Sequence, residues 1–212
     1  TLQYLTSYGK EFGDHNLEAM AGYEEFKSSS EWMGASREQY ELSSYPFLSM
    51  GPLDYRDNYG GATENAYRSF FGRISYNYRQ KYLLQGNIRY DGSSRFNPDY
   101  RWGVFPSLSA GWVLTEETFL QSPDPLSYLK LRASYGTLGN ERIGNYPYQS
   151  LMGFQQDVLF YENSNIVSAT SAAQYGWNIP SITWETTESY NIGVDANFFD
   201  NQLQLTGEIY YK

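Results

Sequence analysis

Long runs in which every second residue is apolar constrain this chain more than any other feature. Over Tyr82–Asp91, one side carries Tyr82, Leu84, Gly86, Ile88 and Tyr90, and the other carries Leu83, Gln85, Asn87, Arg89 and Asp91. Over Trp184–Phe199, Trp184, Tyr190, Ile192 and Val194 oppose Glu185, Asn191, Gly193 and Asp195. The same period runs through Leu2–Tyr8, Asn16–Phe26, Phe70–Tyr78, Trp102–Leu114, Leu129–Leu138 and from Gln202 onward. Period 2 marks a strand with one apolar and one polar face, so eight such strands are predicted. Several exceed the usual strand of about 5–6 residues. They reach the ~9–11 residues that a tilted strand needs to cross a bilayer.

The connections alternate in length. Gly9–Asp14, Arg79–Lys81 and Asp200–Asn201 read as tight turns, and Glu116–Tyr128, with Pro123-Asp124-Pro125, as a longer one with room for a helical turn. Ser28–Asn65 and Gly139–Thr183 are loops of about 40 residues, unusual in a compact soluble domain. Gly92–Arg101 is intermediate. Short turns at one end and long loops at the other are the pattern of an outer-membrane β-barrel.

Composition narrows the function classes. The chain has no Cys and one His, which excludes disulfides, Cys-based metal sites and His clusters. A net charge of −9 argues against a nucleic-acid surface. No apolar stretch is long enough for a transmembrane helix, and the start of the chain does not read as a signal peptide. The mean hydropathy of −0.61 resembles that of a soluble protein, but alternate polar residues dilute any such average in a barrel. Two architectures are open on this pattern: a transmembrane barrel, and a soluble β-sandwich or adhesin whose apolar faces pack together. The 39 aromatic residues, many near strand ends, favour the barrel, where Tyr67, Tyr78, Tyr82, Tyr90, Trp102, Trp112, Trp184 and Tyr211 would sit at the headgroup layers.

Several separated motifs point further. They are Arg89-Tyr90-Asp91-Gly92-Ser93-Ser94-Arg95-Phe96, Arg101-Trp102-Gly103-Val104-Phe105-Pro106-Ser107, Leu129-Lys130-Leu131-Arg132-Ala133-Ser134-Tyr135-Gly136, and Thr183-Trp184-Glu185-Thr186-Thr187-Glu188-Ser189-Tyr190-Asn191. In this order they resemble the SusC/RagA family of TonB-linked outer-membrane transporters of Bacteroidetes, best over residues 65–212. The turn Phe12-Gly13-Asp14-His15-Asn16-Leu17 is also similar to a periplasmic turn of that family. The resemblance implies an all-β, antiparallel up-and-down transmembrane barrel of 22 strands, of which this chain would supply about eight. It implies a plug domain and a TonB box, which this chain is expected to lack as an internal part of a longer protein. It implies localisation in the Gram-negative outer membrane, in contact with outer-membrane lipid. It also implies a SusD-like lipoprotein partner, coupling to TonB, and an oligosaccharide (glycan) or peptide as cargo.

No catalytic or metal-binding constellation is found, and no cofactor is expected. His15 reads as a solvated turn residue without a Ser or Cys partner, which also leaves a barrel enzyme without its Ser–His pair. Asp91, Arg95 and Asp99 do not have the spacing of a calcium loop and read as a stabilised turn. Arg73, Arg89 and Arg132 lie on the polar, lumen-facing side, where they could contact a plug or pair with Asp or Glu of neighbouring strands, and pairing is the favoured expectation. The acidic residues Glu24, Glu25, Glu31, Glu38 and Glu41 read as a solvated face. The long loops hold aromatics, and Tyr55, Tyr59, Tyr146, Tyr148 and Trp177 are the candidate substrate-binding residues. The expected function is therefore nutrient import across the outer membrane. The alternative is a non-transport surface adhesin that uses the same loops.

Overall fold

The computed structural model describes residues 1–120, 125–162 and 165–212. Among them are ten strands: β1 (Leu2–Phe12), β2 (His15–Arg37), β3 (Arg56–Tyr78), β4 (Tyr82–Ser93), β5 (Trp102–Val113), β6 (Leu126–Asn140), β7 (Leu151–Glu162), β8 (Asn165–Tyr175), β9 (Glu185–Phe198) and β10 (Leu203–Tyr211). Eight form one antiparallel sheet in the order β1-β2-β3-β4-β5-β6-β9-β10, while β7 and β8 pair only with each other. The eight strands of the sheet correspond to the eight predicted from alternation. β1 and β10 lie at its two edges, so the sheet is open rather than a closed eight-strand tube.

Burial runs opposite to that of a water-soluble domain. Along β5, Trp102, Val104, Leu108, Ala110 and Trp112 are exposed, whereas Gly103, Ser107, Ser109 and Gly111 are more sheltered. On the neighbouring strands Ile74 and Ile88 are 59% and 52% exposed. A single sheet whose polar face is the more sheltered must curve toward that face. The apolar side chains therefore point outward, with no second layer of protein over them among the described residues.

The outward face is banded by two rows of rings. At the end with short turns, Phe12 stacks on His15 (5.2 Å between centroids), His15 meets Tyr78 (4.8 Å), Tyr78 meets Tyr82 (6.2 Å) and Tyr82 meets Trp112 (6.5 Å). This crosses β1 to β5 without a gap. Toward the loop end, Tyr4–Tyr23, Tyr23–Phe70, Phe70–Trp102 and Tyr90–Trp102 contacts form the second row. On each of β1 to β4 the two rows are eight residues apart, as from Phe70 to Tyr78. That spacing is about 27 Å of extended chain.

Some expected boundaries move. The turn predicted at Gly9–Asp14 contracts to Gly13-Asp14, because β1 pairs with β2 as far as Phe12 opposite His15. Gly13, at φ +61°, supplies the positive φ that such a hairpin turn needs. The loop predicted at Ser28–Asn65 is mostly strand: β2 and β3 stay in register out to Arg37 opposite Arg56. Small and polar residues dominate both faces of that ribbon, with Trp32, Met33 and Tyr59 as exceptions, so no alternation announces it. The Gly139–Thr183 loop contains the β7–β8 hairpin, which closes on itself. The connection predicted at Glu116–Tyr128 begins earlier and ends sooner: 3₁₀ turns occupy Leu114–Glu116 and Thr118–Leu120, and β6 starts at Leu126; Pro123 and Asp124 lie outside the described residues. Among the described residues no helix is long and apolar enough to cross a membrane, which says nothing of crossing by strands.

Candidate functional site: the sheltered face and its mouth

The sheltered face carries a basin of about 470 Å³ near the turn end, lined by Glu18, Asn77, Gln85, Lys130, Arg132 and Asn191 among others. Strand pairing places these side chains: each lies one residue out of phase with the outward apolar set. Arg132 is the hub. It donates to Glu208 (2.8 Å) and Asn191 (3.3 Å), and its Nε lies 3.4 Å from Asp195, so it joins β6, β9 and β10. Arg132 sits opposite Gly193, and its guanidinium fills the place that a Cβ there would occupy. Arg89 bonds the Asp91 carboxylate and the buried Ser69 hydroxyl (3.2 Å each) and lies over the Phe71 ring at 5.3 Å. Arg73 faces the same side, between Met20 and Asn87 in register.

At the loop end the same face closes over an aromatic cluster. Phe96 is fully buried, with Trp184 5.3 Å away; Trp184 in turn meets Phe105 edge-on at 5.3 Å. The Phe105 ring lies across Gly103 and Gly139, where an added Cβ would stand 2.5 and 2.1 Å from it. The Trp184 indole donates to the Arg101 carbonyl (2.8 Å), and the Thr183 hydroxyl to that of Tyr100 (2.8 Å). The segment after β6 folds back over this cluster. Arg95 donates to the Ile143 carbonyl, and the Tyr146 hydroxyl to that of Glu64 (2.6 Å). The mouth is thus tied together from β3, β4, β6 and β9.

The five loop aromatics do not form one pocket. Tyr146 and Tyr148 meet edge-on at 6.3 Å at the mouth. Tyr59 is out on the β2–β3 ribbon, against Trp32 (5.9 Å) and over Gly34, whose missing Cβ leaves room for its ring. Tyr55 ends a 3₁₀ turn at the ribbon tip. Trp177 is 97% exposed. A separate hollow of about 340 Å³ under the ribbon tip, lined by Tyr40, Tyr45 and Met50, was not predicted.

Four expectations need correction. Tyr67 is not a headgroup-layer residue: it shares the sheltered face with Ser69, above the outer ring row, and its hydroxyl donates to Glu24 (2.7 Å). That bond and partial burial push its phenol up to about 12. Trp184 likewise turns inward, because the strand proper begins at Glu185. His15 is not a solvated turn residue; as the first residue of β2 its Nδ1 shares a 2.7 Å hydrogen bond with the Tyr76 hydroxyl. Glu24 and Glu25 do not form a solvated face: Glu24 holds Tyr67 on one side of the sheet, and Glu25 pairs with Arg68 (3.2 Å) on the other.

Sequence reasoning missed the clasp at the turn end. Glu117, between the two 3₁₀ turns, accepts from the Tyr82 hydroxyl (2.7 Å), the Trp112 indole (3.0 Å) and Lys81 (3.2 Å). The Tyr82 bond, then the Trp112 bond, hold its carboxyl below the ordinary value. The two girdle aromatics in this sequence were the signal, since a Tyr and a Trp at an interface each bring a polar atom that needs a partner. Among the described residues no group of three or more metal-ligating side chains converges.

Comparison with known proteins gives one consistent result. The family described as TonB dependent receptor-like, beta-barrel, matches residues 1–212. TonB-dependent receptor P39 of Formosa agariphila is 35% identical over 211 residues, covering 97% of this chain and 19% of that protein. TonB-dependent receptor SusC of Bacteroides thetaiotaomicron is 32% identical over 204 residues, covering 92% of this chain and 19% of that protein. A solved structure of the RagAB peptide transporter superposes with a TM-score of 0.84 at 28% identity, covering 98% of this chain and 22% of that one. The chain thus spans about a fifth of the length of the curated relatives it matches.

Proposed function

Since this chain belongs to the TonB-dependent receptor β-barrel family, we propose that it forms part of the wall of an outer-membrane importer that takes up a nutrient, an oligosaccharide or a peptide. The observation that carries this reading is the inverted sheet: apolar side chains bare on the outside, ions and amides on the inside. In hydrocarbon every backbone polar group must pair internally, so a spanning sheet has to close. The two open edges here would be completed by strands elsewhere in the protein. The sandwich reading needs a second layer over Ile74 and Ile88, and both stand exposed.

In this reading the turn end faces the periplasm and the loop end the outside. The sheltered face lines the passage, with Arg73, Arg89 and Arg132 on its wall. Tyr146 and Tyr148 stand where arriving cargo first meets the mouth. The β7–β8 hairpin, with exposed Leu159, Tyr161 and Ile166, offers a surface to a SusD-like lipoprotein, since a lone two-stranded hairpin is marginal in water. Energy would come from TonB through a segment other than this one, and a plug domain would gate the lumen. The barrel performs no covalent chemistry.

The test is genetic and biochemical. The full-length protein is expected in the outer-membrane fraction, released only by detergent, with heat-modifiable gel mobility. Cells lacking the gene should lose TonB-dependent uptake of an oligosaccharide or peptide mixture. Unchanged uptake of both would reject the importer, and release without detergent would reject the membrane placement.

A further inference from the structure

The outward face contains a groove that packing among the described residues does not fill. It has a volume of about 500 Å³ and crosses β1 to β4. Its registered rows are Tyr8, Ala19, Ile74 and Gly86, and Thr6, Ala21, Gly72 and Ile88. Ala19, Ala21 and Gly72 form the floor, and Tyr8, Ile74 and Ile88 rise at its sides. The groove runs from the level midway between the two ring rows to two residues short of the loop-side row, at hydrocarbon depth.

The open glycines of this groove contrast with filled ones on the sheltered face; outward Gly207, on the edge strand β10, is open as well. On the sheltered face, Gly22, Gly139 and Gly193 are occupied: an added Cβ would stand 2.3, 2.1 and 2.7 Å from Phe71, Phe105 and Arg132. Gly72 and Gly86 are vacant. A Cβ at 72 would meet only the Met20 carbonyl at 3.5 Å and Ile88 at 3.9 Å, and at 86 only Leu108 at 3.9 Å. Glycine weakens a strand interior and often marks close approach of a ligand. Here nothing from the described chain approaches.

Below the groove toward the turns stands Lys10. It is outward-facing on β1, one alternation from Tyr8 and one from the ring-row residue Phe12, and lies opposite Leu17. It forms no ion pair among the described residues. A cation on a lipid-facing strand is tolerated near an interface and costs increasingly more toward the midplane. A lysine there extends its ammonium to the headgroup layer.

We infer that β1–β4 hold one phospholipid of the turn-side leaflet, with its anionic headgroup on Lys10, one acyl chain running past Tyr8 and the distal part of that chain in the groove. Bulk lipid is as apolar as the groove, so retention comes from shape: a concave wall gives a chain more close contacts than a flat one. Lys10 supplies the headgroup preference. The inference rests on the membrane placement proposed above.

Native mass spectrometry of the full-length protein in mild detergent, titrated with phosphatidylglycerol or phosphatidylethanolamine, tests it. The wild type should retain one phosphatidylglycerol at least fivefold more strongly than phosphatidylethanolamine. Gly72→Leu, and independently Gly86→Leu, should cut retention of both lipids at least fivefold while heat-modifiable mobility persists. Lys10→Gln should abolish only the preference. Wild-type retention in both glycine variants, or an undiminished preference in Lys10→Gln, overturns the proposal. A protein that needs detergent yet holds no lipid fails this inference alone; one that leaves the cell without detergent fails the membrane placement.

Discussion

At the scale of single residues, the sheltered face is built by pairing a missing side chain with a large one. Phe105 lies over Gly103 and Gly139, and Phe71 over Gly22. Phe105 is 7% exposed and flanked by Trp184, so its ring has nowhere to go. Gly139→Val should therefore destabilise by about 1–3 kcal/mol, the usual range for overpacking, and lower the urea midpoint of the detergent-solubilised full-length protein. Glu117 makes a pH-dependent prediction. Its carboxyl is held below the ordinary glutamate value by Tyr82 and Trp112, so its bonds contribute fully above that ordinary value. The contribution fades as pH falls through the lowered folded value. Glu117→Gln should unfold more readily than the wild type at neutral pH, and the difference should vanish in acid. Urea titrations at several pH values read this directly, and a gap that persists in acid would contradict it.

At the scale of strands, alternation makes adjacent positions opposites. Ile88 faces outward and Asn87 inward on β4. Ile88→Arg, two residues inside the ring row at Tyr90, should cost about 1–3 kcal/mol, between the interface and midplane costs of a cation on a lipid-facing strand, and reduce the heat-modifiable folded fraction. Asn87→Arg should leave that fraction unchanged; equal damage from both would mean the faces are misassigned. The eight strands of the sheet were legible because each separates two solvents, and period 2 records that separation residue by residue. The β2–β3 ribbon beyond Ser28 and the β7–β8 hairpin were not, because water bathes both faces and no alternation is imposed. The same reason explains Trp184, which lies where its strand leaves the apolar band, so that counting by twos no longer says which way its ring points. Tyr67 is in phase with Ser69 and Arg73, so alternation itself puts it on the sheltered face. The candidate arginines could be placed from parity, but Arg132 joining three strands depends on the register of β6 with β9, 59 residues apart at Asn191, which no local pattern encodes.

At the scale of the molecule, the sheet is open at both edges. Its edges at β1 and β10 present unpaired backbone groups, and its outward face is a broad, mostly apolar surface. Open edges and large apolar patches drive association, so residues 1–212 expressed without detergent should sediment as aggregates. A stable monomer in water by analytical ultracentrifugation would contradict that.

The two bands of rings fix a dimension. With strands inclined by roughly 35–45°, as is usual for such walls, eight residues of separation become ~20 Å measured along the normal. Bacterial outer membranes are thinner than most, and mismatch costs fractions of a kcal/mol per ångström. This wall is a gauge cut for a thin sheet of fat. Set in a thicker one, it has to pinch its surroundings, which will favour short-chained neighbours around it.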